Sequence, residues 1–373
     1  MAIFCIPDAL QIDMDDMGWF EGKDARKNGG PSRSGVPRRH CAADYEAVNE
    51  LGRRLNMKIN CALVLGEWDP DNRLRAIPYL SKYGDAWDNA AYYDAHLAGE
   101  CAAVLQTAAY INPCVHGLLH GYYKEGVDCY DTSDFYYRIK NVLYMIPKEE
   151  VRKRLDAFWG LLAAHGIERR IHTFIPPSFA YRWDELSPIL KEYGIGYVGT
   201  IFSTMQKDGK AVTAPVDIEP CGMVTYDRHH NPIPWDSLGA NWETLPPLCG
   251  LLGVHWPNLL HADPARNLET VAAAEAYFRR SASAFGTILS RGIEFYASQE
   301  LYKRYARTEE CGGALSVDLS ALPPLPAIRD RFYISAKKEV LSCEGGTCTL
   351  YERAGDFATY EVVPKETKLT LRT

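Results

Sequence analysis

The 373-residue chain has no apolar run approaching the length of a bilayer crossing, no CxxC pair among its 11 cysteines and no surplus of positive charge. Each absence closes a class of function. A membrane span needs ~20 consecutive apolar residues, and a net charge of −7 speaks against a nucleic-acid partner, which wants a basic face. An odd cysteine count argues against a complete disulfide framework. Cys61, Cys101 and Cys249 fall in core segments as small hydrophobes, while Cys343 and Cys348 flank EGGT and are expected to face each other, reduced, across a tight Gly345-Gly346 hairpin. The start, MAIFCIPDALQID, lacks the basic stretch and sustained apolar run of a secretory leader, so a cytoplasmic protein with no membrane partner is expected. There is also no glutamate directly after His116, where Gly117 stands, which excludes a metalloprotease helix.

What is present is 47% hydrophobic residues, enough for a large core. One device recurs in LLAAHGIERRIHTFI, LKEYGIGYVGTI and LSRGIEFYAS: helix, glycine, isoleucine, apolar strand. Gly166, Gly194 and Gly292 suit the left-handed residue that ends a helix, with the isoleucine packing back. Residues 148–165, entered after Pro147, put Val151, Leu155, Phe158 and Leu162 on one helical face. Helices are also predicted over 86–109 and 267–290, and strands near 9–13, 59–65, 110–115, 171–175, 196–201, 249–255 and 293–297. Strands alternating with helices predict an α/β barrel with parallel strands. The run SALPPLPAIRD at 320–330 reads as a linker. Beyond it FYISA, EVLSCEGGTCTLYER, ATYEVV and KLTLRT alternate like strands. A barrel over 1–325 and a small antiparallel β appendage over 326–373, too short to be stable alone, are expected.

The chemistry concentrates in two histidines four apart, His116 and His120 in NPCVHGLLHGYY, and an acidic pair, Asp15 and Asp16 in LQIDMDDMGW. One carboxylate with two imidazoles suits a divalent metal, zinc first and iron, cobalt or nickel after it, and leaves positions open for water and substrate. Residues four apart share a face where the backbone turns like a helix, which Gly117, Leu118 and Leu119 allow. Blander readings stand beside this one: HxxxH arises by chance among ten histidines, the aspartates equally end a strand and cap a turn, and His255 equally packs at a strand end. Against them, every candidate follows a predicted strand, on the rim where barrel sites are built.

The runs IDMDDMG, HGLLH and GVHWPNLLH, in that order, resemble the aspartate, His-x-x-x-His and late-histidine motifs of the polysaccharide deacetylase family, the NodB-homology or carbohydrate esterase 4 group. FIPPSFAYRW at 174–183 is a weaker match to the family's Arg/Pro motif. The resemblance spans most of the first 300 residues and implies a distorted barrel of about seven strands, a (β/α)7-type fold. It further implies Asp15 as general base, Asp16, His116 and His120 as metal ligands, and His255 as general acid, with His261 a second candidate. Three departures mark a divergent member with altered substrate or lost activity. Asp13 adds an acid before the pair, Gly117 stands where the family usually has a small hydroxyl residue, and no arginine precedes the proline of the third motif, leaving Arg182 as the candidate to hold the base.

The residue types fit amide hydrolysis on chemical grounds as well. A divalent metal lowers the pKa of bound water and polarises a carbonyl, a carboxylate takes the proton, and a histidine opposite protonates the departing amine. Substrate contacts are expected from Glu67, Trp68, Arg182, Trp235 and Trp256. Two irregular segments are candidate groove walls: 20–40, with Arg33, Arg38 and Arg39, and 218–248, with Tyr226, Trp235 and Trp242. Their alternatives are a solvated loop and rings that cover the core. His229 and His230 are expected in a solvent-facing loop. The expected activity is removal of an acyl group, most simply acetyl, from an N-acetylated sugar or related compound, with a small-molecule or oligosaccharide substrate and a homo-oligomer as further expectations. The alternatives are a glycoside hydrolase pairing Asp13, Asp15 or Asp16 with Glu67 or Glu294, and a carbohydrate-binding relative without turnover.

Overall fold

The computed structural model describes residues 4–25, 31–126, 133–140, 142–207, 212, 214–228 and 232–373. Seven parallel strands form the main run of a curled sheet: β1 Ala9–Met17, β2 Ile59–Val64, β3 Ile111–Gly117, β4 Thr173–Phe174, β5 Tyr197–Thr200, β6 Val224–Asp227 and β7 Leu251–His255, with the short Ile288–Leu289 paired parallel to the start of β1. Their order across the sheet is β7-β1-β2-β3-β4-β5-β6, with Val216–Ile218 added antiparallel to β6 at the edge. Among the described residues no pairing joins β7 to β6 or to that edge, so the barrel is open on one side. β1 and β2 are buried along their whole length, as parallel strands covered on both faces are.

Helices α1 Ala42–Leu55, α2 Ala95–Thr107, α3 Lys148–Ala164, α4 Trp183–Glu192, α5 Asn267–Phe285 and α6 Ile293–Tyr305 connect and cover the strands. In α3 the expected face of Val151, Leu155, Phe158 and Leu162 is buried, and Glu149 and Glu150 sit in the first turn, where the helix dipole favours them. Gly166 and Gly194 have φ of +68° and +77°, and the amides of Ile167 and Ile195 reach back to the carbonyls of Leu162 and Leu190.

The third copy of that device behaves differently. Residues 293–297, read as a strand, open α6, and Gly292 precedes that helix rather than ending one. Nine of its 13 residues are buried. A helix buried nearly all round has no amphipathic stripe, so its short apolar run is indistinguishable from a buried strand by pattern alone. The missing seventh strand is β6, inside the segment read as irregular.

α6 packs in one apolar cluster with Ala9, Val224, Tyr226 and Leu251, bridging the strands on either side of the opening. It also ties on the C-terminal β structure, where two four-stranded antiparallel sheets share a core that includes Leu315, Val317, Phe332, Ile334, Val362 and Leu371. These sheets recruit Phe4–Cys5, Arg307–Cys311 and Ala314–Asp318 alongside the strands after residue 331. The 320–330 segment is held down, with Arg329 donating its amide to Ser298 and accepting from the Tyr302 hydroxyl. The Cys343/Cys348 hairpin does not form. Cys343 pairs with Leu371 in one sheet and Cys348 with Val362 in the other, because the chain crosses between sheets at Gly345, whose φ of +77° and close approach to the Lys368 carbonyl require glycine. No helix among the described residues is long and apolar enough to cross a membrane.

Candidate metal centre

Successive residues of a strand point to opposite faces, so Asp15 and Asp16 reach one pocket only through a break in β1. The break is a β-bulge: Met14 pairs with Cys61 but Met17 with Leu63, which leaves one extra residue on β1, and Asp16 takes φ +65°. β3 repeats the device, since Val115 and Gly117 pair with the consecutive residues Leu63 and Val64 and His116 is the extra residue. The turn from His116 to His120 is not helical. His120 has φ +54°, and the buried Asp134 carboxylate organises the loop, accepting from the amides of Leu118 at 2.8 Å and Leu119 at 3.1 Å.

These local features bring Asp16 Oδ1 to 3.6 Å from His116 Nε2 and 3.5 Å from His120 Nε2. Ligands at ~2.0–2.1 Å around a tetrahedral zinc would stand roughly 3.3–3.4 Å apart, so Asp16 is near that spacing from both rings, and the three donor atoms lie within 4.8 Å of one another. The donor chemistry agrees. His116 Nδ1 donates to the Ile175 carbonyl at 2.5 Å, which fixes the ring with Nε2 toward Asp16, and His120 Nε2 is buried without a hydrogen-bond partner among the described residues. Burial opposes charge on Asp16, yet His116, His120 and His255 outweigh it and hold the carboxyl below the ordinary range. On His116 burial is likewise outweighed, by Asp16 and Asp15, and the pKa is raised, whereas burial wins at His120 and lowers it.

Asp15 is fixed from behind by Arg228, whose Nη2 donates to Oδ1 at 2.9 Å while its Nε lies 2.9 Å from Asp13 Oδ2. Asp13 is sealed inside the barrel, with Asn60 donating to Oδ1 at 2.8 Å, and burial pushes its carboxyl up to about 6. The guanidinium lies against the Phe179 ring. Asp15 Oδ2 faces His255 Nε2 at 3.9 Å across the parallel pair β1–β7, in which the two residues are in register. The acidic pair, both histidines and His255 line one cavity of about 260 Å³, closed by Ser32, Ser178, Phe179 and Trp235.

The remaining candidates lie elsewhere. Glu67 is buried in an ion pair with Arg33 at 2.6 Å and accepts the amides of Phe20 and Glu21, so it clamps the loop after β1 and does not reach the cavity. Trp68 donates to the Gly18 carbonyl beneath Phe20, and Trp256 is buried on His40, so both rings are packing residues. Arg182 lies near Asp184 and Glu185 and is not among the residues around Asp15. The half-buried side chain of His261 caps its own turn, accepting the Asp263 amide. Of the arginines in 20–40, Arg38 pairs with Asp44 and Arg39 reaches the Tyr92 carbonyl. Trp242 covers α5, while Trp235 alone of the three aromatic candidates in 218–248 lines the cavity. His229 and His230 lie outside the described residues. A Ser34–His40–Asp44 relay, 2.7 Å and 3.2 Å, has the order of a nucleophilic triad, but all three side chains are buried away from the cavity and serve the same loop. Arg228 and Asp134 were the residues the motifs did not mark. Arg228 follows a strand whose sequence reads as loop, and Asp134 carries no motif of its own.

No family model and no curated protein sequence matches the chain. Several solved structures are similar at low identity. A CE4 family pseudoenzyme from Bacillus anthracis is 11% identical, with 79% of this chain and 66% of that chain covered and a TM-score of 0.38. A candidate polysaccharide deacetylase from Mycobacterium smegmatis is 11% identical, with coverages of 74% and 83% and a TM-score of 0.37. A GH57-type branching enzyme from Pyrococcus horikoshii is 13% identical, with coverages of 61% and 47% and a TM-score of 0.33. Likeness at this level assigns no activity.

Proposed function

We propose that this protein is a metal-dependent hydrolase that removes an acyl group, most simply acetyl, from an N-acetylated sugar or a related compound. The observation that carries the reading is the convergence of Asp16, His116 and His120 on one point beside an Asp15 carboxylate that Arg228 holds by one oxygen. A divalent cation held by the triad, zinc by donor type, would supply a Lewis acid for the amide carbonyl and a more acidic water. Asp15 keeps Oδ2 toward the cavity and accepts the proton of the attacking water. His255, on the facing strand, gives a proton to the departing amine, without which that amine is a poor leaving group. Trp235 and Phe179 supply apolar faces for a sugar ring, and Ser32 and Ser178 supply hydroxyls.

The test combines elemental analysis with acetate release from N-acetylated amino sugars, on wild type and on His116→Ala/His120→Ala. One metal per chain, absent from the folded double variant, with turnover abolished by exhaustive chelation, is the expected result. No metal in the wild type even after reloading overturns the reading. A binding protein without turnover is the second reading, favoured by ligand binding that persists in Asp15→Asn when wild type yields no product. The glycosidase alternative loses its partner acids, because Glu67 is closed on Arg33 and Glu294 on His172 at the opposite end of the barrel.

A further inference from the structure

The loop that presents His120 has no helix to shape it, yet its amides converge on one side chain. Asp134 Oδ2 accepts from Leu118 at 2.8 Å, and Oδ1 accepts from Leu119 at 3.1 Å and Gly121 at 3.4 Å. Asp134 is fully buried, so these charged hydrogen bonds are sheltered from water. The carboxylate also occupies the space where a side chain at position 117 would begin, since a Cβ on Gly117 would lie 1.9 Å from Oδ2. His120 is held at φ +54° between this loop and the edge of Trp19, 5.7 Å away, which leaves its Nε2 directed at Asp16.

We propose that Asp134 is a positioning residue for the metal centre: it sets the turn that carries His120, and Gly117 is glycine because the Asp134 carboxylate fills the place from which a serine hydroxyl at 117 would reach the Leu119 amide. A short side-chain hydroxyl bonds neighbouring backbone groups in this way, so the two solutions exclude each other in space and substitute for each other in function. The inference rests on the metal-centre reading above.

The test is zinc affinity, measured by competition with a chromophoric chelator, for wild type, Asp134→Asn, Asp134→Ala and the double variant Gly117→Ser/Asp134→Ala, with melting of the metal-free proteins alongside. Loss of a residue that orients a ligand weakens metal binding about 10–100-fold, and that loss is expected for Asp134→Asn and Asp134→Ala, with the double variant regaining most of it. A residue of merely structural value would lower the melting temperature and leave the affinity of the folded protein unchanged. Wild-type affinity in folded Asp134→Asn, which still reports if Asp134→Ala does not fold, overturns the inference. A double variant that binds no better than Asp134→Ala overturns the exchange with position 117. If wild type takes no zinc, the metal-centre reading falls and this inference with it, an outcome distinct from unchanged affinity in the variants.

Discussion

At the amino ends of the barrel strands, His172 and Glu294 pair at 2.5 Å, Glu300 accepts the Ala9 amide at 3.1 Å, and Gln299 bonds the Pro7 carbonyl and both backbone groups of Tyr333. Each of these groups fastens one element to another. At the carboxyl ends the same residue types are buried as deeply, but four non-glycine residues around the cavity, Asp16, His120, Ser178 and Phe179, have positive φ. Such conformations cost about 1–3 kcal/mol each and persist only where the surroundings impose them. Among the described residues His120 Nε2 is left without a hydrogen bond there. One end uses polar contacts to hold the fold together, and the other accepts strained backbone around the cavity that gathers the candidate metal ligands.

The contrast is most exposed to attack at Arg228, which carries two carboxylates, Asp13 and Asp15. Arg228→Met leaves both without their cation in the interior and is expected to cost about 3–5 kcal/mol in chemical denaturation. A loss below about 1 kcal/mol would mean that the carboxyl end is no more dependent on charge pairing than the surface is. Asp15→Asn keeps the shape of the site and is expected to lower kcat/KM by roughly 10²–10⁴-fold while metal content is retained. Metal loss in that variant would show that Asp15, not only Asp16, ligates.

The amino end offers a pH test. Burial pushes the Glu300 carboxyl up to about 7 from an ordinary 4.5. Between those values the folded chain keeps a proton that the unfolded chain releases, so stability falls as pH rises through that window. Glu300→Gln removes this slope. Stability should match wild type near pH 4 and exceed it at pH 8 by up to roughly 3 kcal/mol, and equal denaturation curves at both values would refute it. The smallest effect is expected at Trp235, where Trp235→Ala removes one apolar face and should raise KM about 2–10-fold with kcat little changed.

Much of this arrangement was legible in advance. Six of the seven strands and the buried face of α3 follow from periodicity and from the glycines that end α3 and α4, and the five acidic and imidazole candidates at the cavity, Asp15, Asp16, His116, His120 and His255, follow from their positions after strands. The exceptions share a cause. Residues 293–297 of α6 read as a strand because near-complete burial erases the helical stripe, and β6 escapes because four residues between loops carry too little pattern. Glu67, Trp68 and Trp256 sit close to the site in sequence order yet face away from it, since burial by neighbours, not proximity to a strand end, decides which side chains reach a cavity.

Local periodicity and residue type are enough to give the α/β alternation, the C-terminal β segments and the presence of a carboxylate–imidazole set. Which arginine holds Asp15, how Asp134 shapes the turn to His120, and the meeting of Asp16 and His116 through bulges in β1 and β3 come from the three-dimensional packing. Those contacts join residues far apart in the chain, and no local pattern encodes a meeting that depends on how whole strands are stacked.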